Sequence, residues 1–175
     1  MAPAPVHLVC GATGAGKTTY AIALAAREGA IRFSIDEWMV ALFWADAPAE
    51  LGDWAHVRVA RCTERMRAVL AQSCALGVPG VVDAGFTTRA DRRVFADWAD
   101  GRGIPCRLHW LDAPAATRRR RVAARNAAGG GGTGFVVTEA MFDYMEALWE
   151  PPDREETDRL PTTRIAATGD ATADG

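Results

Sequence analysis

Short apolar runs alternate with longer stretches of helical periodicity along the chain. Val6–Cys10 is an apolar run closed by a glycine, the pattern of a strand buried in a parallel sheet. Lys17–Glu28 carries Ala, Ile and Leu at helical spacing and stops at Gly29, a typical C-terminal glycine. Ile31–Ile35 predicts a second strand leading into Asp36, and helical patterning resumes over Glu37–Phe43. Trp44–Gly52, with Asp46, Pro48 and Gly52, reads as a loop. Trp54–Leu76 is a long amphipathic helix whose apolar stripe includes Val57, Ala60, Met66, Val69 and Leu70. Gly77–Gly80 ends it and opens a third strand at Val81–Asp83. Thr88–Asp100 reads as helix, Arg107–Leu111 as a fourth strand, and Pro114–Ala128 as a helix with proline in its first turn. A glycine-rich segment follows at Gly129–Gly134, too rich in glycine to hold one conformation by itself. Thr138–Trp149 is a further helix with Thr138 as its N-cap, Pro151 and Pro152 break it, and Thr163–Ala167 is a candidate fifth strand.

Strands alternating with helices imply an α/β fold, a parallel sheet covered on both faces. The chain of 175 residues fits one domain over residues 1–167. Thr168–Gly175 is small, polar and acidic, the composition of a disordered tail. Hydrophobic residues make up 49% and charged residues 24%, the balance of a soluble globular protein. A net charge of −2 supplies no global field toward nucleic acid or an anionic membrane. The N-terminus lacks the features of a secretory signal, and no run approaches the roughly 18 apolar residues that span a bilayer. Cys10, Cys62, Cys74 and Cys106 are scattered among apolar neighbours, so they read as reduced core residues of a cytoplasmic protein.

The strongest chemical signal is Gly11-Ala12-Thr13-Gly14-Ala15-Gly16-Lys17-Thr18, followed by Thr19, between a strand and a helix. Its glycines allow a tight turn whose N–H groups face phosphates, and the helix N-terminus adds partial positive charge. This is a P-loop, a site for ATP with Mg2+; Lys17 is expected to reach the β- and γ-phosphates and the Thr18 hydroxyl to bind the metal.

Ligands of doubly wound sheets bind beyond the carboxyl ends of the strands, and Asp36 and Asp83 fall at two such ends. Asp83 closes Val-Val-Asp, the form of a Walker B element that holds Mg2+; a turn residue is the plainer alternative. Asp36 has two compatible readings, a base for an acceptor hydroxyl and an N-cap of the helix from Glu37. Arg118, Arg121 and Arg125 share a helix face beside the glycine-rich segment, so residues 115–137 form a candidate lid over transferring phosphates. A solvated basic face is the alternative. Arg89, Arg92 and Arg93 are either contacts to an anionic acceptor or surface charge. Trp38, Phe43, Trp44 and Trp54 are either core or the walls of an acceptor pocket. His7, His56 and His109 have no metal-ligand spacing.

These residues together resemble the small P-loop kinases of the polynucleotide kinase, zeta toxin, chloramphenicol phosphotransferase and gluconate kinase type. The matching segments are residues 11–19, Phe33–Trp38, Val81–Phe86, Leu111–Pro114 and Arg121–Asn126. The likeness is greatest to bacterial AAA-type ATP-binding proteins. The resemblance implies a three-layer P-loop NTPase fold of the nucleoside monophosphate kinase type, with a five-stranded parallel sheet and a small lid. It also implies γ-phosphate transfer from ATP to a hydroxyl of a small molecule, with Asp36 activating the acceptor and Arg121 and Arg125 serving as lid arginines. The Thr87–Arg93 stretch resembles the corresponding segment of polynucleotide 5′-hydroxyl kinase. However, Asp-Glu-Trp at 36–38 lacks the arginine of the Asp-Asp-Tyr-Arg type, so a nucleic-acid acceptor is not expected. The alternatives are a polynucleotide 5′-hydroxyl kinase, a zeta-toxin-like nucleotide-sugar kinase and an ATP-binding regulatory protein without an acceptor. A monomer or homodimer is expected.

Overall fold

The computed structural model describes residues 2–48, 52–129 and 136–166. Five strands form one parallel sheet in the order β2-β3-β1-β4-β5: β1 Val6–Cys10, β2 Ile31–Ser34, β3 Gly80–Asp83, β4 Cys106–Asp112 and β5 Thr162–Ala166. The helices are α1 Lys17–Glu28, α2 Ile35–Phe43, α3 Gly52–Ala75, α4 Arg89–Asp100, α5 Ala115–Ala127, α6 Glu139–Leu148 and α7 Arg154–Arg159. A 3₁₀ turn at Trp44–Asp46 extends α2 into the segment expected to be loop.

The central strand explains the layers. Alternate β1 residues point to opposite faces. Val6, Leu8 and Cys10 enter a core with Met66, Leu70 and Cys74 of α3 and with Phe95 and Ala99 of α4. Val9 enters the other core, where Ala21 and Leu24 of α1 pack with Val81 and Leu111. After β3 the chain crosses from one side of β1 to the other. The crevice for ligands therefore opens at the carboxyl end of β1. All four cysteines are free and buried, as expected, and burial pushes the Cys10 and Cys106 thiols up to about 12.

Expected and observed elements differ at the start of α2 and at α7. The second strand ends at Ser34 and α2 begins at Ile35, because the Ser34 hydroxyl caps the helix by accepting from the Glu37 N–H at 3.4 Å. Ser34, rather than Asp36, is thus the N-cap. The short helix α7 carries no apolar stripe, so periodicity does not reveal it. Its local signal is Asp153, whose carboxylate accepts from the Glu156 N–H at 2.9 Å. Of the glycine-rich segment only Gly129 is among the described residues, and the expected tail lies outside them.

Arg92 was a candidate acceptor contact, but it is fully buried. Its guanidinium forms two parallel bonds to Glu156 at 2.5 and 2.8 Å and donates to the Phe86 and Glu150 carbonyls. It is a brace: it pins the turn after β3 to the segment between α6 and α7. Arg92→Ala would leave the Glu156 carboxylate buried and unpaired, at a cost of about 3–5 kcal/mol. Denaturant unfolding should show that loss.

Candidate active site

A cleft of about 710 Å³ opens at the carboxyl end of β1. The P-loop forms its floor, α2 and the β3 end line one side, and α5 and α6 line the other. Gly11, Ala12, Thr13, Gly14, Gly16, Lys17, Thr18 and Thr19 all line it; Ala15 is buried behind them.

The sequence makes this loop by backbone geometry. Gly14 has φ +80°, and a Cβ there would stand 2.6 Å from the Arg118 carbonyl oxygen, so only glycine fits. Gly16, at φ +94°, is the N-cap of α1 without a side-chain partner. That helix end therefore turns its N–H groups toward the cleft, the arrangement that binds anions. The Lys17 ammonium folds back to donate to the Gly11 and Ala12 carbonyls at 2.8 and 3.2 Å. Desolvation lowers its pKa, against the pull of Asp83 and Asp36. A phosphate oxygen offers this ammonium a stronger, charged acceptor.

Asp83 is buried at the end of β3, in register with Ser34 of β2. It is paired with Arg32 at 3.5 Å, and Arg32 also pairs with Glu37. Burial raises the Asp83 pKa, and the neighbouring Thr18 hydroxyl and Lys17 ammonium oppose that rise. A hydroxyl beside a carboxylate is the hard oxygen donor set that suits Mg2+, which completes its shell with phosphates and water. Among the described residues no three His, Cys, Asp or Glu cluster to hold a metal by themselves. The two donors thus fit a nucleotide-borne Mg2+ rather than a self-contained metal centre.

Asp36 is the second residue of α2, where its carboxylate complements the helix dipole. It is open to the cleft, yet the surrounding walls displace enough water to raise its pKa, against the attraction of Lys17 and Arg125. The Asp36 carboxylate adds to the rise of the Asp83 pKa, less than burial does.

Of the arginine stripe, Arg121 and Arg125 line the cleft, and Arg121 also approaches the Ala15 carbonyl at 3.4 Å. Arg118 does not join them. It is buried, makes two 2.6 Å bonds to Glu146 of α6, and donates to the Ala113 and Thr13 carbonyls. Its burial removes it from the expected lid face and makes it a clamp between α5, α6 and the P-loop. Arg89 pairs with Asp153 and Glu155, and Arg93 with Asp97, so neither faces the cleft. Of the four aromatics, Trp44 lines the cleft, whereas Trp38 and Phe43 pack on the core and Trp54 lies under the Arg58 guanidinium at 4.0 Å. The sequence reading missed Met141, Met145 and Trp149, which line the cleft at helical spacing. Their four-residue periodicity was the available signal.

A parallel sheet in this order with a P-loop after its central strand defines a P-loop NTPase fold of the nucleoside monophosphate kinase type. The chain belongs to the AAA_33 family, an AAA domain, which its residues 6–152 match. Solved structures share the fold. A candidate kinase from Chloroflexus aurantiacus is 18% identical, with a TM-score of 0.72, over 99% of this chain and 93% of that one. Kti12 of Chaetomium thermophilum, in complex with ADP-AlF3, is 16% identical with a TM-score of 0.72 over 95% and 92%. The Mycobacterium tuberculosis APS kinase CysC, in complex with AMPPNP and APS, is 17% identical with a TM-score of 0.58 over 95% and 90%. Curated proteins give no match. Among the described residues no helix is long and apolar enough to cross a membrane.

The raised pKa of Asp36 has a consequence for stability. The folded state holds the proton more tightly than the unfolded one, so stability falls as pH rises from the unfolded pKa through the folded pKa. Asp36→Asn escapes that loss. Its Tm should exceed the wild-type value at pH 7 and converge on it as the buffer is acidified below the carboxylate range.

Proposed function

We propose that the protein transfers the γ-phosphate of ATP to a hydroxyl of a small molecule. The observation that carries this reading is the placement of Asp36, a desolvated carboxylate opening into the same cleft as the P-loop, Lys17 and two arginines. A P-loop alone supports nucleotide binding. An added carboxylate two residues beyond β2 supplies a base for an incoming hydroxyl.

In this reading the P-loop amides and Lys17 hold the β- and γ-phosphates, and Thr18 and Asp83 hold Mg2+. Bound there, Mg2+ neutralises charge on the phosphate oxygens. Asp36 accepts a hydrogen bond from the acceptor O–H, which turns the oxygen lone pair toward the γ-phosphorus, and takes the proton as the new O–P bond forms. The bond from the γ-phosphorus to the β–γ bridging oxygen breaks, and that oxygen leaves with ADP. Arg121 and Arg125 stabilise charge on the γ-phosphoryl oxygens during transfer. The Asp36 environment suits this work, since desolvation by the cleft walls raises its pKa above the usual carboxylate value and makes it a stronger base.

Two variants separate the roles. Lys17→Ala should lose ATP binding, read by equilibrium titration with a fluorescent ATP analogue. Asp36→Asn should keep ATP affinity while transfer falls by about 10²–10⁴, the range of general-base contributions. Transfer by Asp36→Asn at the wild-type rate would remove the base assignment.

A further inference from the structure

The cleft is chemically divided. Its charged side chains outside the P-loop are Asp36, Asp83, Arg121 and Arg125. All four are accounted for by phosphate, metal and proton transfer on the reading above. Beyond them the walls change character. On α2 the face that begins with Asp36 continues as Met39, Val40 and Trp44, at the spacing that keeps side chains on one side of a helix. Across the cleft, Met145 and Trp149 continue the face of α6. Gly85 and Thr87 also line the cleft, and the polar side-chain groups among the described residues of this half are the Thr87 hydroxyl and the Trp44 and Trp149 indole N–H groups.

The apolar walls are held in place. The Glu150 N–H donates to the Thr87 carbonyl at 3.0 Å, and the Glu150 carboxylate accepts from the Arg89 N–H at 2.7 Å. These bonds pin the end of α6, and Trp149 with it, to the turn after β3. The Arg118–Glu146 pair holds the middle of the same helix against α5.

Such walls discriminate among alcohols. A polyol or sugar acid brings several hydroxyls and a carboxylate that lose water on entry and find no charged partner and few polar ones on these walls. A polynucleotide end brings further phosphates that need cations, and on the reading above the two cleft arginines are already taken up by the γ-phosphoryl group. An aryl or alkyl body loses nothing polar, gains the flexible thioethers of Met39 and Met145, and meets the Trp44 and Trp149 rings.

Resting on the kinase reading for its hydroxyl, we infer that the acceptor is a neutral alcohol with an aromatic or aliphatic body, seated between the α2 and α6 apolar faces with its hydroxyl at Asp36. Transfer yields a phosphomonoester and ADP, with the hydroxyl proton released through Asp36.

The test uses three probes on the full chain with AMPPNP and Mg2+: 3-phenylpropan-1-ol, D-gluconate and a 5′-hydroxyl oligodeoxynucleotide. Calorimetric titration should give 3-phenylpropan-1-ol a Kd at least tenfold below either of the others. Equal or tighter binding of gluconate or oligonucleotide overturns the inference, and so does failure of all three to bind. Met39→Lys and Met145→Lys, on opposite walls, should each weaken 3-phenylpropan-1-ol at least tenfold. Should either variant fail to fold, the wild-type ranking still decides. Repeating the panel with γ-labelled ATP separates the two claims. Binding of the aryl alcohol without a labelled ester leaves the pocket assignment standing and removes the kinase reading. A labelled gluconate ester with no aryl ester does the reverse.

Discussion

One buried guanidinium ties together the segments that make the cleft. Arg118 reaches the Thr13 carbonyl of the P-loop, the Ala113 carbonyl before α5 and the Glu146 carboxylate of α6. The backbone beside it is packed as closely, since Gly14 leaves no room for a Cβ against the Arg118 carbonyl. The phosphate cradle and the helix that walls the other side of the cleft are thereby coupled. A buried arginine of this kind requires its carboxylate: without Glu146 it would be an unpaired charge away from water.

Within that frame the cleft concentrates charge that water does not fully screen. Lys17 is held by backbone carbonyls, and the two carboxylates are desolvated enough to raise their pKa values. The arrangement is costly without a ligand and compensated by one, because phosphate oxygens offer Lys17 a charged partner and a divalent cation offers one to Asp83. Thr18 and Asp83 both line the cleft and supply two oxygens that such a cation needs. Functional sites concentrate perturbed groups for this reason, and structural ion pairs such as Arg92–Glu156 lie elsewhere.

Much of this was legible in the sequence because local rules decided it. The P-loop is a contiguous pattern, the strands are short apolar runs, and Asp83 directly closes one of them. Reading failed where long-range pairing decides. Arg118 and Arg121 are three residues apart on one helix face, yet one is buried on Glu146 and the other lines the cleft. Nothing within α5 distinguishes them; the carboxylate that does is 28 residues further on. Arg92 is the same case, its fate set by Glu156 at a separation of 64. The cap of α2 failed for a local reason. Ser34 and Asp36 are both good caps, and the strand register with β3 decides between them. The apolar half of the cleft was half-read, since Trp44 was a candidate and the α6 methionines were not.

The central claim is that the γ-phosphate goes to an alcohol activated by Asp36 rather than to water. Isotope partitioning tests it directly: turnover of ATP in 18O-enriched water with a mixed pool of neutral and charged alcohols, followed by mass spectrometry of the products. The account predicts a phosphomonoester whose phosphoryl oxygens carry no solvent 18O. Inorganic phosphate bearing one 18O as the sole phosphorylated product besides ADP would contradict it.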